Sequence, residues 1–122
     1  MTREPAKTFK DLIVWQRAHR LVLAIYKITA TFPAHELYGL VSQIRRASVS
    51  IAANIAEGFT KRSTPEKARF LSISQGSLEE VRYYLILAED LDYAETTKLH
   101  DQLTEISKLL EAYRSSILAR SS

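Results

Sequence analysis

Apolar residues recur at alternating steps of three and four along four separate stretches of this chain. On a helix with about 3.6 residues per turn, such steps place the side chains on one face, whereas a half-buried strand requires strict alternation. The sequence therefore predicts four amphipathic helices and no sheet. Their predicted bounds are Leu12 to Phe32, a start between Glu36 and Leu40 with an end at Gly58, a start at Ser63 with an end near Leu91, and about Glu95 to Leu118.

Local signals support these boundaries. Pro33 ends the first helix, because proline disfavours helical geometry in the residue before it. Gly58 follows a regular apolar run, which predicts a left-handed helix cap at this position. Ser63 is followed three positions later by Glu66, the spacing of a capping box. Gly76 lies inside the third helix, where glycine costs about 1 kcal/mol relative to alanine, so we expect another backbone to come close to it.

The fold class follows from the number and length of these helices. Four helices with short connections predict an all-α fold, an antiparallel up-down-up-down four-helix bundle. We assign residues 11–120 to this single domain and residues 1–10 to a flexible N-terminal segment. The chain has 122 residues, enough for a hydrophobic core, and no cysteine, which excludes disulfides and suits a reducing cytoplasm. We expect no signal peptide or membrane contact, since no long apolar run occurs.

Several apolar residues lie off the main seams of the first and third helices. If left in water they would form a sizeable patch, which usually marks an association surface. Self-association is therefore predicted, and the alternative is a wide core stripe with tyrosines lying flat against it. The residues are Leu12, Leu23 and Tyr26, followed by Ile73, Tyr84 and Leu87.

A polar line runs along the second helix beside its apolar seam. We expect part of it to form a buried, hydrogen-bonded layer with the third helix that fixes the register of the two helices. The alternative is a catalytic pocket built from the same groups. The line comprises Gln43, Arg46, Ser50, Asn54 and Glu57, with Glu80 as the partner on the third helix.

Positive charge is concentrated in the first half of the chain. Residues 1–62 contain ten Lys or Arg and four Asp or Glu, whereas residues 63–122 contain seven and ten. A basic surface on the first two helices would attract a polyanion, and solvated helix faces are the alternative. Its expected phosphate contacts, to RNA or DNA, are Arg17, Arg20, Lys27, Arg45, Arg46, Lys61 and Arg62.

No pattern of catalytic or metal-binding residues is found. A di-iron bundle needs Glu-x-x-His pairs, and His19, His35 and His100 have neither these partners nor an Arg at nuclease spacing. Neither a nucleophile elbow nor a glycine-rich phosphate loop occurs. We therefore expect a protein that is not an enzyme and that uses no metal, cofactor or small-molecule substrate.

Three segments resemble, in order and spacing, the 23S rRNA intervening sequence protein family, bacterial four-helix bundles named after insertions in large-subunit ribosomal RNA genes. They are DLIVWQRAHRL, FPAHELYGLVSQIRRASVSIAANIAEG and FLSISQGSLEEVRYYLILAEDLDY. The resemblance implies ring-shaped homopentamers with a basic surface suspected of binding nucleic acid. A related branch is similar to the accessory protein of diversity-generating retroelements, which partners a reverse transcriptase and its RNA. A protein-interaction scaffold without nucleic-acid affinity therefore stays open.

The residues that match the family pattern carry no known catalytic role. They are Gln43, Arg45, Arg46, Asn54, Glu57, Gly58, Gly76, Ser77 and Glu80.

Overall fold

A computed structural model describes residues 5–120, so residues 1–4 of the predicted flexible segment lie outside the described residues. The described chain forms four α-helices and two short 3-10 turns, Phe9–Asp11 and Ala34–Glu36, and it contains no strand. The all-α prediction is confirmed. The helices are α1 (Ile13–Thr29), α2 (Leu40–Thr60), α3 (Thr64–Asp90) and α4 (Thr97–Arg120).

The four helices occupy the corners of a square. Each helix packs against its neighbour in sequence and α1 also packs against α4, while no close backbone contact crosses either diagonal within residues 5–120. Successive helices run antiparallel, as the α2–α3 pair shows. Ser50 lies opposite Ser77, and Gly58 lies opposite Phe70. Residue numbers along α3 therefore decrease in the direction in which those along α2 increase.

The predicted apolar seams form one continuous core between the four helices. Full burial of an aliphatic side chain stabilises a fold by roughly 1.5 to 3 kcal/mol, so these seams supply the main driving force for folding. The fully buried residues of this core include Leu21 and Ile25 from α1, Ile44, Ile51 and Ile55 from α2, Leu78, Val81 and Leu85 from α3, and Leu103, Ile106 and Leu110 from α4.

Only the Ser63 half of the predicted capping box forms at the start of α3, because the Glu66 carboxylate accepts from Arg69 instead. The Ser63 hydroxyl accepts a hydrogen bond from the backbone N–H of Glu66 at 3.2 Å, and a proline lies in the first turn. The end of α1 comes earlier than predicted, at Thr29. Phe32 instead packs into a second small apolar cluster with Leu40 and Ala88.

The predicted roles of two glycines are wrong within this chain. Gly58 is not a left-handed cap, because no glycine in the described chain has positive φ and α2 continues to Thr60. Gly58 is buried, and a Cβ placed on it would lie 2.9 Å from Phe70 Cβ, so its role is close packing of α2 on α3. Gly76 is exposed, and no atom of the chain beyond its own helix turn lies within 4 Å of a Cβ built there.

A tyrosine ties the α3–α4 connection to the α1–α2 connection. The Tyr93 hydroxyl donates to Glu36 Oε2 at 2.7 Å, and its ring lies 5.4 Å from that of Phe32. The Tyr93 hydrogen bond, followed by the backbone N–H of Leu40, lowers the pKa of Glu36. The connection turns at Asp92, whose φ of 61° is in the left-handed region. This latch closes one end of the bundle.

Candidate nucleic-acid interface

Arg45 lies between α1 and α2, and its side chain is hydrogen-bonded to α1. Its Nε donates to Thr29 Oγ1 at 2.9 Å and its Nη2 to the Tyr26 carbonyl at 3.2 Å. The guanidinium also lies 4.5 Å from the centroid of the Tyr26 ring. A cation at the C-terminal end of a helix interacts favourably with the helix dipole. Arg45 is therefore a structural residue of the α1–α2 contact.

Arg17 marks the side of α1 that is next to α4. Its Nη1 lies 3.6 Å from Glu105 Oε1, with the two side chains 42% and 51% exposed. A surface pair of this kind contributes little to stability. Arg20 and Lys27 follow on the side of α1 that faces away from α2. Both are exposed, and neither makes an ion pair or side-chain hydrogen bond within residues 5–120.

Arg46 points in a third direction. It follows Arg45 directly, so the two side chains leave the helix about 100° apart. Arg46 lies on the outer face of α2, exposed and without an ion pair among the described residues. The cations of α1 and α2 therefore do not share one continuous surface of a single chain.

Lys61 and Arg62 occupy the α2–α3 connection at one end of the bundle. Lys61 Nζ lies 5.0 Å from the centroid of the Phe70 ring. Lys67 donates to the Phe59 carbonyl at 2.8 Å, which satisfies an acceptor at the end of α2. Arg62 is exposed at the tip.

This end of the bundle collects cations from distant parts of the sequence. It comprises residues 5–11, 57–70 and 113–120, and we call it the basic end. It contains eight Lys or Arg and three Asp or Glu. Most of these cations were not predicted from the sequence, because they come from separate stretches of it. The signal that could have found them is the up-down topology, which brings the starts of α1 and α3 next to the ends of α2 and α4. The missed cations are Lys7, Lys10, Lys67, Arg69, Arg114 and Arg120.

Two of the three acids at the basic end are already engaged. Asp11 Oδ2 accepts backbone N–H bonds from Thr8 at 3.1 Å and from Lys7 at 2.9 Å, and these bonds lower the pKa of Asp11. Glu66 accepts from Arg69 Nε at 3.2 Å, which lowers the pKa of Glu66. The remaining acid, Glu57, is exposed. The surface at this end is thus predominantly positive.

The opposite end of the bundle is acidic. Residues 27–40 and 86–101, joined by the Tyr93 latch, contain two Lys and six Asp or Glu, and we call them the acidic end. The charge difference between the two halves of the sequence therefore becomes, in the folded chain, a difference between the two ends of the molecule.

An open groove of about 960 Å³ lies at the basic end between the start of α1 and the end of α4. Ile13 and Ile117 contribute apolar surface, Phe59 and Tyr113 contribute aromatic rings, and Arg120 contributes a cation. Partial burial raises the pKa of Tyr113. Aromatic rings among cations are the surface on which unpaired nucleobases stack.

The predicted polar layer is smaller than expected and has different members. Asn54 Nδ2 donates to the Ser50 carbonyl at 2.8 Å and to Ser50 Oγ at 3.0 Å. Ser50 Oγ lies 2.8 Å from Ser77 Oγ across the helix pair, and Ser74 Oγ donates to the Ile51 carbonyl at 2.9 Å. Serines thus form most of the α2–α3 polar contacts.

Gln43, Glu57 and Glu80 do not join this layer. All three are exposed. Glu80 accepts only a long bond of 3.5 Å from Tyr84. Arg46, predicted in the same layer, is exposed as well. The signal for Ser77 is its position three residues after Ser74 and four before Val81, which places it on the buried side of α3.

Residues 5–120 contain neither a candidate metal site nor a membrane-spanning helix. No group of three or more His, Asp or Glu side chains is placed to hold a metal ion in this part of the chain. None of its helices has the length and apolar character needed to cross a membrane.

These features define a four-helix bundle whose charge is separated between its two ends. The family model described as 23S rRNA-intervening sequence protein matches residues 10–112, and the chain belongs to this family. A similar crystal structure is that of a protein with unknown function from the S23 ribosomal protein family of Bacteroides thetaiotaomicron. It has a TM-score of 0.75 and 25% identity, over 84% of this chain and 98% of that chain. No curated protein is significantly similar in sequence. The predicted family is confirmed.

Proposed function

We propose that this chain is a non-enzymatic, homo-oligomeric, cytoplasmic protein that binds nucleic acid by phosphate contacts from its basic end. The observation that carries the proposal is the gathering of eight Lys or Arg from three separate segments around three acids, two of which are engaged. This refines the surface predicted on the first two helices, because Arg45 is committed to packing and Arg46 points elsewhere.

The chemistry of the basic end suits a polyanion. Lysine and arginine contacts to phosphates release counterions, so affinity depends steeply on salt and little on base sequence. Phe59 and Tyr113 in the adjacent groove supply surfaces on which unpaired bases can stack. Symmetric assembly of several copies would multiply the phosphate contacts. The description of the family refers to ribosomal RNA, so RNA is the first probe to test.

The test compares two single substitutions that change charge equally. Arg62→Glu alters the basic end and Lys98→Glu alters the acidic end, and both side chains are exposed. Fluorescence anisotropy with labelled single-stranded and duplex RNA, repeated across a salt series, measures the affinity and its salt slope. We expect Arg62→Glu to weaken binding and flatten the slope, while Lys98→Glu binds like the parent.

Two results would contradict the proposal. One is the absence of RNA or DNA binding by the parent protein at low ionic strength. The other is an equal loss of affinity in Arg62→Glu and Lys98→Glu, since this would indicate that net charge alone, without a particular surface, determines binding.

The second candidate is a protein-interaction scaffold, for example for a reverse transcriptase, without nucleic-acid affinity of its own. The apolar surface of the basic-end groove favours it, because Ile13 and Ile117 suit a protein side chain as well as a base. A protein partner that survives nuclease treatment and is lost in Arg62→Glu would support this function. A catalytic pocket has less support, because Glu57 and Glu80 are exposed and lie outside the Asn54–Ser77 contacts.

A further inference from the structure

The outer face of α3 carries a second seam, with exposed apolar residues, that no other helix within residues 5–120 covers. Ile73, Gly76, Glu80 and Tyr83 follow one another at alternating steps of three and four, on the side away from the core, whereas Leu87, one turn further, packs against the Phe32 cluster. Ile73 is 40% exposed and Tyr83 is 59% exposed. A helix with apolar residues on two opposite faces is typical of one that packs on both sides.

Gly76 in this seam has no structural role within its own chain. A glycine inside a helix costs about 1 kcal/mol relative to alanine, which a close backbone contact usually explains. No such contact is present here, because the position of a Cβ on Gly76 is open to solvent. The glycine therefore leaves room for something outside the chain.

A groove lies beside Gly76, between α3 and α4. Its volume is about 390 Å³, and Leu71 and Leu110 contribute apolar surface to it. Glu79 and Glu111 also line it. Arg114, at the same groove, has a buried Nε without a hydrogen-bond partner in the described chain. The groove thus combines the apolar surface of two leucines with two carboxylates and one guanidinium, and Glu79 is already paired with Arg82 at 3.3 Å.

The chain also carries a surface of complementary charge. Leu23 on the outer face of α1 is 58% exposed. Arg20 and Lys27 lie one turn before it and one turn after it, and neither has an ion-pair partner within residues 5–120. An exposed leucine between two cations suits the two leucines of the groove and the exposed carboxylates of Glu80 and Glu111.

We propose that a second copy of this chain packs the outer face of its α1 against the outer face of α3, with Leu23 over Gly76 and in the adjacent groove. Because Arg20 and Lys27 are each one turn from Leu23, one of them reaches Glu80, one turn from Gly76, whichever way the helices run. This inference rests on the proposed function, which includes a homo-oligomer, and it names the two surfaces through which the copies would contact each other. Of the cations at the basic end, Arg114 alone lines this groove.

The arrangement of the bundle makes this contact heterologous. The two helices α1 and α3 occupy diagonal corners, so each copy presents the two surfaces on opposite sides. A head-to-tail contact of this kind closes into a ring when the rotation between copies allows it. The alternative to α1 of the second copy is the outer face of its α2, which carries the exposed side chains of Arg46 and Val49 and could pack on α3 instead.

The experiment introduces one disruptive substitution on each surface and measures the mass of the resulting particles by sedimentation velocity and light scattering. Gly76→Gln fills the space on α3, and Leu23→Glu introduces a charge into the α1 surface. Both variants should be monomers at concentrations where the parent is an oligomer. The matched control Ala53→Gln adds the same side chain to the exposed outer face of α2 and should leave the oligomer intact. Circular dichroism melts confirm that each variant folds.

Mixing the two blocked variants is the decisive step. Gly76→Gln retains a functional α1 surface and Leu23→Glu retains a functional α3 surface, so the mixture should form dimers with one copy of each and nothing larger. Persistence of the parent oligomer in Gly76→Gln, dissociation by Ala53→Gln, or absence of dimers in the mixture would overturn the inference. A monomeric parent would refute the homo-oligomer itself, whereas an oligomer unaffected by these changes would refute only its assigned surfaces.

Discussion

Replacing Gly58 by alanine tests whether the tight α2–α3 contact is real. The added methyl group would lie 2.9 Å from Phe70 Cβ and 3.5 Å from the Lys67 carbonyl oxygen. Neither atom is the end of a flexible side chain, so relief requires the two helices to separate. Overpacking of this kind costs about 1 to 3 kcal/mol, and we place this contact in the upper part of that range.

Helix propensity offsets part of this cost. Alanine is favoured over glycine in a helix interior by about 1 kcal/mol, so the expected net loss for Gly58→Ala is about 1 to 2 kcal/mol. The control is Gly76→Ala in the Leu23→Glu background, where neither the chain itself nor the proposed second copy opposes the methyl group. It should stabilise the chain by about 0.5 to 1 kcal/mol.

Urea unfolding followed by circular dichroism measures both changes. The variants and the parent are compared at one protein concentration, because association shifts apparent stability. In a chain of this size, a change of 1 kcal/mol moves the melting temperature by roughly 3 to 5 °C. If Gly58→Ala were as stable as the parent, the close approach of α2 and α3 at this position would be refuted.

Two further predictions concern the polar contacts that join the helices. Arg45→Ala should destabilise the chain by about 1 to 2 kcal/mol, because it removes charged hydrogen bonds that include one to buried Thr29. Arg46→Ala should stay within about 0.5 kcal/mol of the parent, and equal effects of the two would contradict the assignment of Arg45. Because folding lowers the pKa of Glu36, its contribution to stability is present above the ordinary glutamate pKa and is lost as pH falls through the lowered value. In urea midpoints measured from about pH 7 to pH 3, Tyr93→Phe should lose less stability than the parent, and identical curves would count against the latch.

The sequence pattern predicted the helices well because burial and periodicity are local properties of each segment. The Ile44–Ile51–Ile55 seam is buried as its spacing predicts, and the Ser63 cap forms. The polar layer was predicted less well, since angular position on a helix does not reveal how far the neighbouring helix extends around it. Asn54 is covered by α3, whereas Glu57, three residues further along, is not.

The candidate site depended on information that a linear pattern does not contain. Lys67 and Arg120 lie far apart in sequence and line the same groove only because antiparallel helices bring their ends together. Arg45 was predicted to face a phosphate, and its commitment to Thr29 and Tyr26 becomes visible only when the crossing of α1 and α2 is known.

The separation of charge along the bundle has a consequence for any side-by-side ring. If the copies are related by rotation about an axis parallel to the helices, all the basic ends lie on one rim of the ring and all the acidic ends on the other. The ring is then a disc with one positive and one negative side. Opposite rims of two discs would attract each other in dilute buffer. A polynucleotide would then have to displace this stacking, and adding it to a turbid, salt-free solution should clear the solution.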